Sequence, residues 1–137
     1  MWWIYALLSA LFAALTAIFA KVGIKGVNTD LATAIRTVVI LILAWGIAYF
    51  RGSVIHIHSL TRQNLFFLVL SGIATGLSWI FYFKALQMGK VSQVAPVDKL
   101  SVAIAIILSV IFLGEVLTAK AAIGAALIIA GTLVLIL

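Results

Sequence analysis

The chain has 137 residues, of which 66% are hydrophobic and 9% charged, and its mean hydropathy is +1.37. Its net charge of +6 comes from nine Lys and Arg scattered singly, which is not the clustered stripe that a nucleic-acid groove requires, so nucleic acid is excluded as a partner. Without cysteine, the chain has no disulfide, thiol nucleophile or thiolate metal site.

Five apolar runs cover residues 2–20, 31–50, 65–83, 94–113 and 121–137. Each is about 17 to 20 residues, the length a helix needs to cross a hydrocarbon core of roughly 30 Å. The connectors are short and no Pro/Ser/Gly-rich linker divides them, so residues 1–137 are expected to form one all-α integral membrane domain of five transmembrane helices. The first run opens MWWIY, without the positive n-region or the small-residue cleavage site of a secretory leader, and predicts a retained span. In it Trp2, Tyr5, Ser9, Ala13, Thr16 and Ala20 recur at helical spacing as a face of small and hydroxyl-bearing side chains. The connector 21–30 holds Gly23, Gly26 and Asn28.

The second run carries Arg36 about one and a half turns from its start. The next connector, 51–64, is the longest and holds Arg51, Gly52, His56, His58 and Arg62. Its H-x-H pair has neither a cysteine nor a nearby acidic residue, so no metal site is expected. On the third run Ser71, Thr75, Ser78 and Tyr82 fall at i, i+4, i+7 and i+11, one face of a helix, with Gly72 and Gly76 forming a GxxxG beside it. Such faces suit either a cavity wall or close helix–helix packing. Lys84, near the end of that run and off the polar stripe, is expected to snorkel to the headgroups. Connector 84–93 follows, with Gly89 and Lys90.

Pro96, Asp98 and Lys99 lie near the start of the fourth run. Proline is harmless in the first turn of a helix, but deeper it breaks the span, here beside two charges. Connector 114–120 suggests a tight helical hairpin, with Gly114 capping the fourth helix and Glu115 favouring the start of the fifth. The fifth run repeats small residues at Ala122, Ala126 and Ala130, with Gly131 following, and has no charge beyond Lys120. It suits a dimer interface.

Charges inside a membrane cost several kcal/mol unless paired or hydrated. By helix rise Arg36 and Asp98 lie at similar depths from the same face, so they are expected to be linked directly or through water, with Lys99 close by. The candidate solute-binding set is therefore Arg36, Asp98 and Lys99, with Ser71, Thr75, Ser78, Trp79 and Tyr82 as cavity wall. An ion pair that only fixes helix register is the competing reading. No nucleophile–base pair or metal triad is present, so neither an enzyme nor a cofactor is expected.

An odd number of spans places the termini on opposite sides. The connector cations divide three (Arg51, Arg62, Lys120) against three (Lys21, Lys25, Lys90); adding Arg36, Lys84 and Lys99 makes it three against six, favouring a cytoplasmic carboxyl terminus. A single orientation and insertion in both directions stay open.

The Tyr82–Ala85–Leu86 segment, Gly89, the Ala95–Pro96 step, Leu113–Gly114–Glu115 and the final Ala130–Gly131, preceded by Lys21 and by Arg36 early in the second span, resemble an EamA domain of the drug/metabolite transporter superfamily along essentially the whole chain. Most members of that family join two such domains in opposite orientations and act as secondary carriers or exporters. The resemblance thus implies one EamA-like repeat, paired with a second copy in a homodimer, possibly antiparallel, in the cell (inner) membrane. It also implies alternating-access transport of a small metabolite, with membrane lipid and a small-molecule solute as the other partners. The charges Arg36, Lys99 and Asp98 sum to +1, which favours an anionic or zwitterionic solute. Two alternatives stand beside this: an accessory or half-subunit of a heteromeric lipid-linked-sugar flippase, and a small-multidrug-resistance-like exporter. The latter group uses a Glu in its first span, and the first span here has no acidic residue.

Overall fold

The computed structural model describes residues 1–137. It is all helical: α1 (Trp2–Gly23), α2 (Thr29–Phe50), a 3-10 segment (Ser53–Ser59), α3 (Arg62–Met88), α4 (Val91–Asp98), α5 (Leu100–Leu113) and α6 (Ala119–Ile136). Five stretches are long and apolar enough to cross a membrane: α1, α2, α3, α4 with α5 taken together (Val91–Leu113), and α6. The expected five spans are present. Several run past the expected ends, because a helix continues through the headgroups as long as its backbone bonds are satisfied: Arg62, Gln63 and Asn64 open α3, and Lys84–Met88 close it.

Local chemistry sets the ends. The Asn28 side chain accepts from the Asp30 and Leu31 amides at 2.9 and 3.2 Å, capping α2. Gly114 adopts the left-handed conformation (φ 67°) and stops α5, with the Glu115 amide reaching back to the Ser109 carbonyl at 3.3 Å, as expected of a glycine cap. The cap of α6 is Thr118, whose hydroxyl accepts from the Ala121 amide at 3.2 Å; Glu115 stays in the connector before it.

The fourth span is broken. Pro96 lies inside α4 and gives up a backbone donor, and the Lys99 amide bonds back to both Ala95 (3.3 Å) and Pro96 (3.0 Å). This tightened turn ends α4 at Asp98, and α5 begins at Leu100. Of the two roles open to Pro96, the structure takes the one that interrupts the span beside its charges.

The chain packs as two compact units, residues 1–19 with 88–137, and residues 20–87. In the first, α6 packs against α4 and α5. Its buried residues, Ala17, Ala103 and Thr132, are all small, which suits close approach of backbones in lipid. The inward stripe of α6 is Ala121, Gly124, Ala125, Ile128 and Thr132; Ala122, Ala126 and Ala130 are exposed on the other side. In the second unit the buried residues are Ile24, Thr33, Phe83 and Leu86, the last two almost fully enclosed at 1% and 0% exposure. The 3-10 segment packs against α2.

Candidate functional site

Within residues 20–87, α2 and α3 place one cation among aromatic rings. Arg36 sits seven residues into α2, about 10 Å along the helix. Trp79 and Phe83, i and i+4 on α3, lie about 14 and 8 Å from its far end. Successive spans run antiparallel, so these depths coincide, and the Arg36 guanidinium carbon lies 4.4 Å from the centroid of Trp79 and 4.8 Å from that of Phe83. Tyr82, half-buried, precedes Phe83 on the same helix. A cation over a ring gains roughly 0.5–2 kcal/mol, depending on desolvation, while an arginine in mid-span costs about 2.5–3.5 kcal/mol. Two rings therefore make the guanidinium tolerable at this depth without a carboxylate.

The remaining polar groups of α3 are less committed. Ser71, Thr75 and Ser78 are exposed, and Trp79 is half-buried. The Thr75 hydroxyl donates to the Ser71 carbonyl at 2.8 Å, within its own helix. Nothing within this chain would meet a Cβ added to Gly72 or Gly76, so the small size of these residues is not required by packing inside the chain.

Near the same end of α3, two side chains cap helix ends in a reciprocal way. Lys21, in the last turn of α1, donates from Nζ to the Leu86 carbonyl in the last turn of α3. Gln87, on α3, donates from Nε2 to the Ile24 and Val27 carbonyls beyond α1, at 3.2 and 2.9 Å. Carbonyls left open at helix ends are thereby satisfied, and the Lys21 charge meets the negative end of the α3 dipole.

Within residues 88–137, Asp98 pairs with its neighbour Lys99 at 3.2 Å, at the break between α4 and α5. Arg36 belongs to the other unit, and its neighbours there are the two rings. One further contact holds the break: the Thr132 hydroxyl, 4% exposed, lies 2.8 Å from the Ile128 carbonyl and 3.2 Å from that of Pro96. Ala122, Ala126, Ala130 and Gly131, the residues expected at a dimer interface, are all exposed. Phe83, Lys21, Gln87 and Thr132 make contacts that sequence reasoning did not single out. An i, i+4 aromatic pair with Trp79 was the one available signal, for Phe83.

Five apolar spans, with their charges held at helix breaks and ring faces, define a multi-pass membrane protein. The chain belongs to the EamA-like transporter family, whose sequence pattern matches residues 1–137. It is similar to a protein of Sinorhizobium sp described as "Uncharacterized transporter in cobO 3'region", with 49% identity over 134 residues that cover 98% of this chain and 95% of that relative. No solved structure matches it. Family membership places the chain among membrane transporters, working in lipid on a small solute, and points away from an enzyme.

Proposed function

We propose that the protein is a secondary transporter of a small anionic or zwitterionic metabolite, working by alternating access as a homodimer. The observation that carries this reading is Arg36. Its guanidinium is held on Trp79 and Phe83 inside a span, and rings engage the π-face of a guanidinium while leaving its N–H edge for an anion. A solute carboxylate at that edge would form the charge-assisted, bidentate contact that no carboxylate of α2 or α3 near it supplies. Ser71, Thr75, Ser78 and Tyr82 line the same helix as Trp79 and would contact the rest of the solute. Within residues 88–137, Asp98 and Lys99 are a separate candidate polar contact for solute, at the break in the fourth span.

Pairing of two copies is supported by the exposed ladder Ala122, Ala126 and Ala130 and by Gly131, beside which an added Cβ would meet nothing in this chain. An antiparallel pair, with both insertion directions used, accords with the even division of connector cations.

The test is Arg36→Gln, measured for solute-dependent thermal stabilisation and for transport in vesicles. Loss of both from a protein that still folds and dimerises supports the reading. Unchanged transport by a stably folded Arg36→Gln protein removes Arg36 from the site.

A further inference from the structure

The segment between α2 and α3 is more than a connector. Arg51 closes α2, and Gly52, left-handed at φ 69°, turns the chain into the 3-10 segment Ser53–Ser59. A 3-10 helix has three residues per turn, so side chains three apart stack in rows. One row is polar: Ser53, His56 and Ser59, with the Ser59 hydroxyl donating to the His56 carbonyl at 2.6 Å. The next is apolar: Val54, Ile57 and Leu60, of which Val54 is half-buried. The third pairs Ile55 with His58, and Ile55 is 76% exposed although the segment packs against α2. Tyr49 and Phe50, at the end of α2, are exposed beside it.

The charge around these exposed apolar groups has one sign. Arg51 and Arg62 bracket the segment, and the sequence contains no Asp or Glu between Asp30 and Asp98. A short amphipathic helix with cations at its margins, fixed to the end of a span, is built to lie in the headgroup layer. Exposed Ile55 supplies the apolar contact with the acyl boundary, and the two arginines supply bidentate donors for phosphate.

We propose that residues 51–62 form an interfacial site for anionic phospholipid headgroups, with Ile55 inserted at the acyl boundary and Arg51 and Arg62 engaging the phosphates. This site is independent of Arg36 and of the solute. It ties the α2–α3 hairpin to one leaflet and makes the depth of that hairpin depend on lipid charge.

Because the chain has no cysteine of its own, an Ile55→Cys variant can be labelled uniquely with an environment-sensitive fluorophore. The labelled protein is placed in vesicles of phosphatidylcholine alone or with an equal share of phosphatidylglycerol. Blue-shifted emission and stronger quenching by nitroxide-labelled lipid in the anionic vesicles are expected, both reversed by high salt and unaffected by soluble glycerol phosphate. Adding Arg51→Gln and Arg62→Gln should abolish the difference between the two lipids. A label on Glu115→Cys, in the exposed 114–118 connector that span parity puts at the same membrane face, should report no difference between them. Equal emission from the Ile55→Cys label in both vesicles, an unchanged response after both arginines are replaced, or an equal shift at Glu115→Cys would each overturn the proposal, as would displacement by soluble glycerol phosphate.

Discussion

At the scale of single residues, the geometry around Arg36 depends on its shape as much as its charge. A lysine there would keep the charge but lose the planar guanidinium, whose carbon lies 4.4 and 4.8 Å from the Trp79 and Phe83 ring centroids. Arg36→Lys is therefore expected to weaken solute binding about tenfold, or about 1.4 kcal/mol, with the fold kept; a thermal-shift titration of the purified variant would measure this. The capping pair offers a prediction about stability alone. Lys21→Met removes a charged donor from the end of α3, and Gln87→Leu removes the donor to the Ile24 and Val27 carbonyls. Each change is expected to cost about 1–2 kcal/mol in a reversible unfolding assay in detergent. Arg36 and Trp79 were legible in the sequence because a charge or an indole stands out in an apolar span. Phe83 was not, since an aromatic ring among leucines and isoleucines gives no periodic contrast. Lys21 and Leu86 are 65 residues apart, and no spacing rule connects such a pair.

At the scale of elements, hydropathy made the five spans legible, because a bilayer-length apolar run has few other uses in a chain this short. Their ends were less so. The polar residues Arg62, Gln63 and Asn64 read as connector but extend α3, since helix length follows backbone hydrogen bonding while the apolar run follows only the hydrocarbon core. Gly114 was recognisable as a cap because its place after the fourth run matches the left-handed turn it makes. The interruption at Lys99 was legible only as one of two outcomes, because whether a proline ends a helix or opens it depends on where the preceding turn begins. Here α4 starts at Val91, which puts Pro96 in its interior. Replacement Pro96→Ala restores an amide donor and is expected to join α4 and α5 into one helix, with slower transport in the assay used for Arg36 and amide exchange at residues 98–100 slowed to match the flanking helix. Thr132→Val keeps the shape and deletes the hydroxyl 3.2 Å from the Pro96 carbonyl; a loss of about 1 kcal/mol in stability is expected.

For the molecule as a whole, the proposed pairing makes two further claims. Ala126 lies in the middle of the exposed ladder on α6, so Ala126→Leu should hold two copies apart and reduce dimer cross-linking in membranes, with each copy still folded. Unchanged cross-linking would move the interface elsewhere. Reporter fusions to Leu137 should be active on both sides of the membrane if both orientations are used, and activity on one side alone would exclude the antiparallel arrangement. Pairing is less legible than the spans because small residues pack equally well against lipid, a neighbour or another copy, and orientation is less legible because the connector cations divide evenly.

The hydroxyl of Thr132 has a consequence at this largest scale. It sits on the helix assigned to the partner, yet it grips the carbonyl of the proline that interrupts the fourth span. Under the proposed pairing, α6 thus has a neighbouring copy on one flank and the interruption of the fourth span on the other. A movement at the interruption then alters α6 and the grip between copies, and the exchange of free energy runs equally in both directions. A solute that favours one posture of the interruption must therefore change the dissociation constant of the pair by the same factor by which pairing changes the affinity for solute. Dilution of the detergent-solubilised protein with and without solute would read that factor directly, with no transport assay.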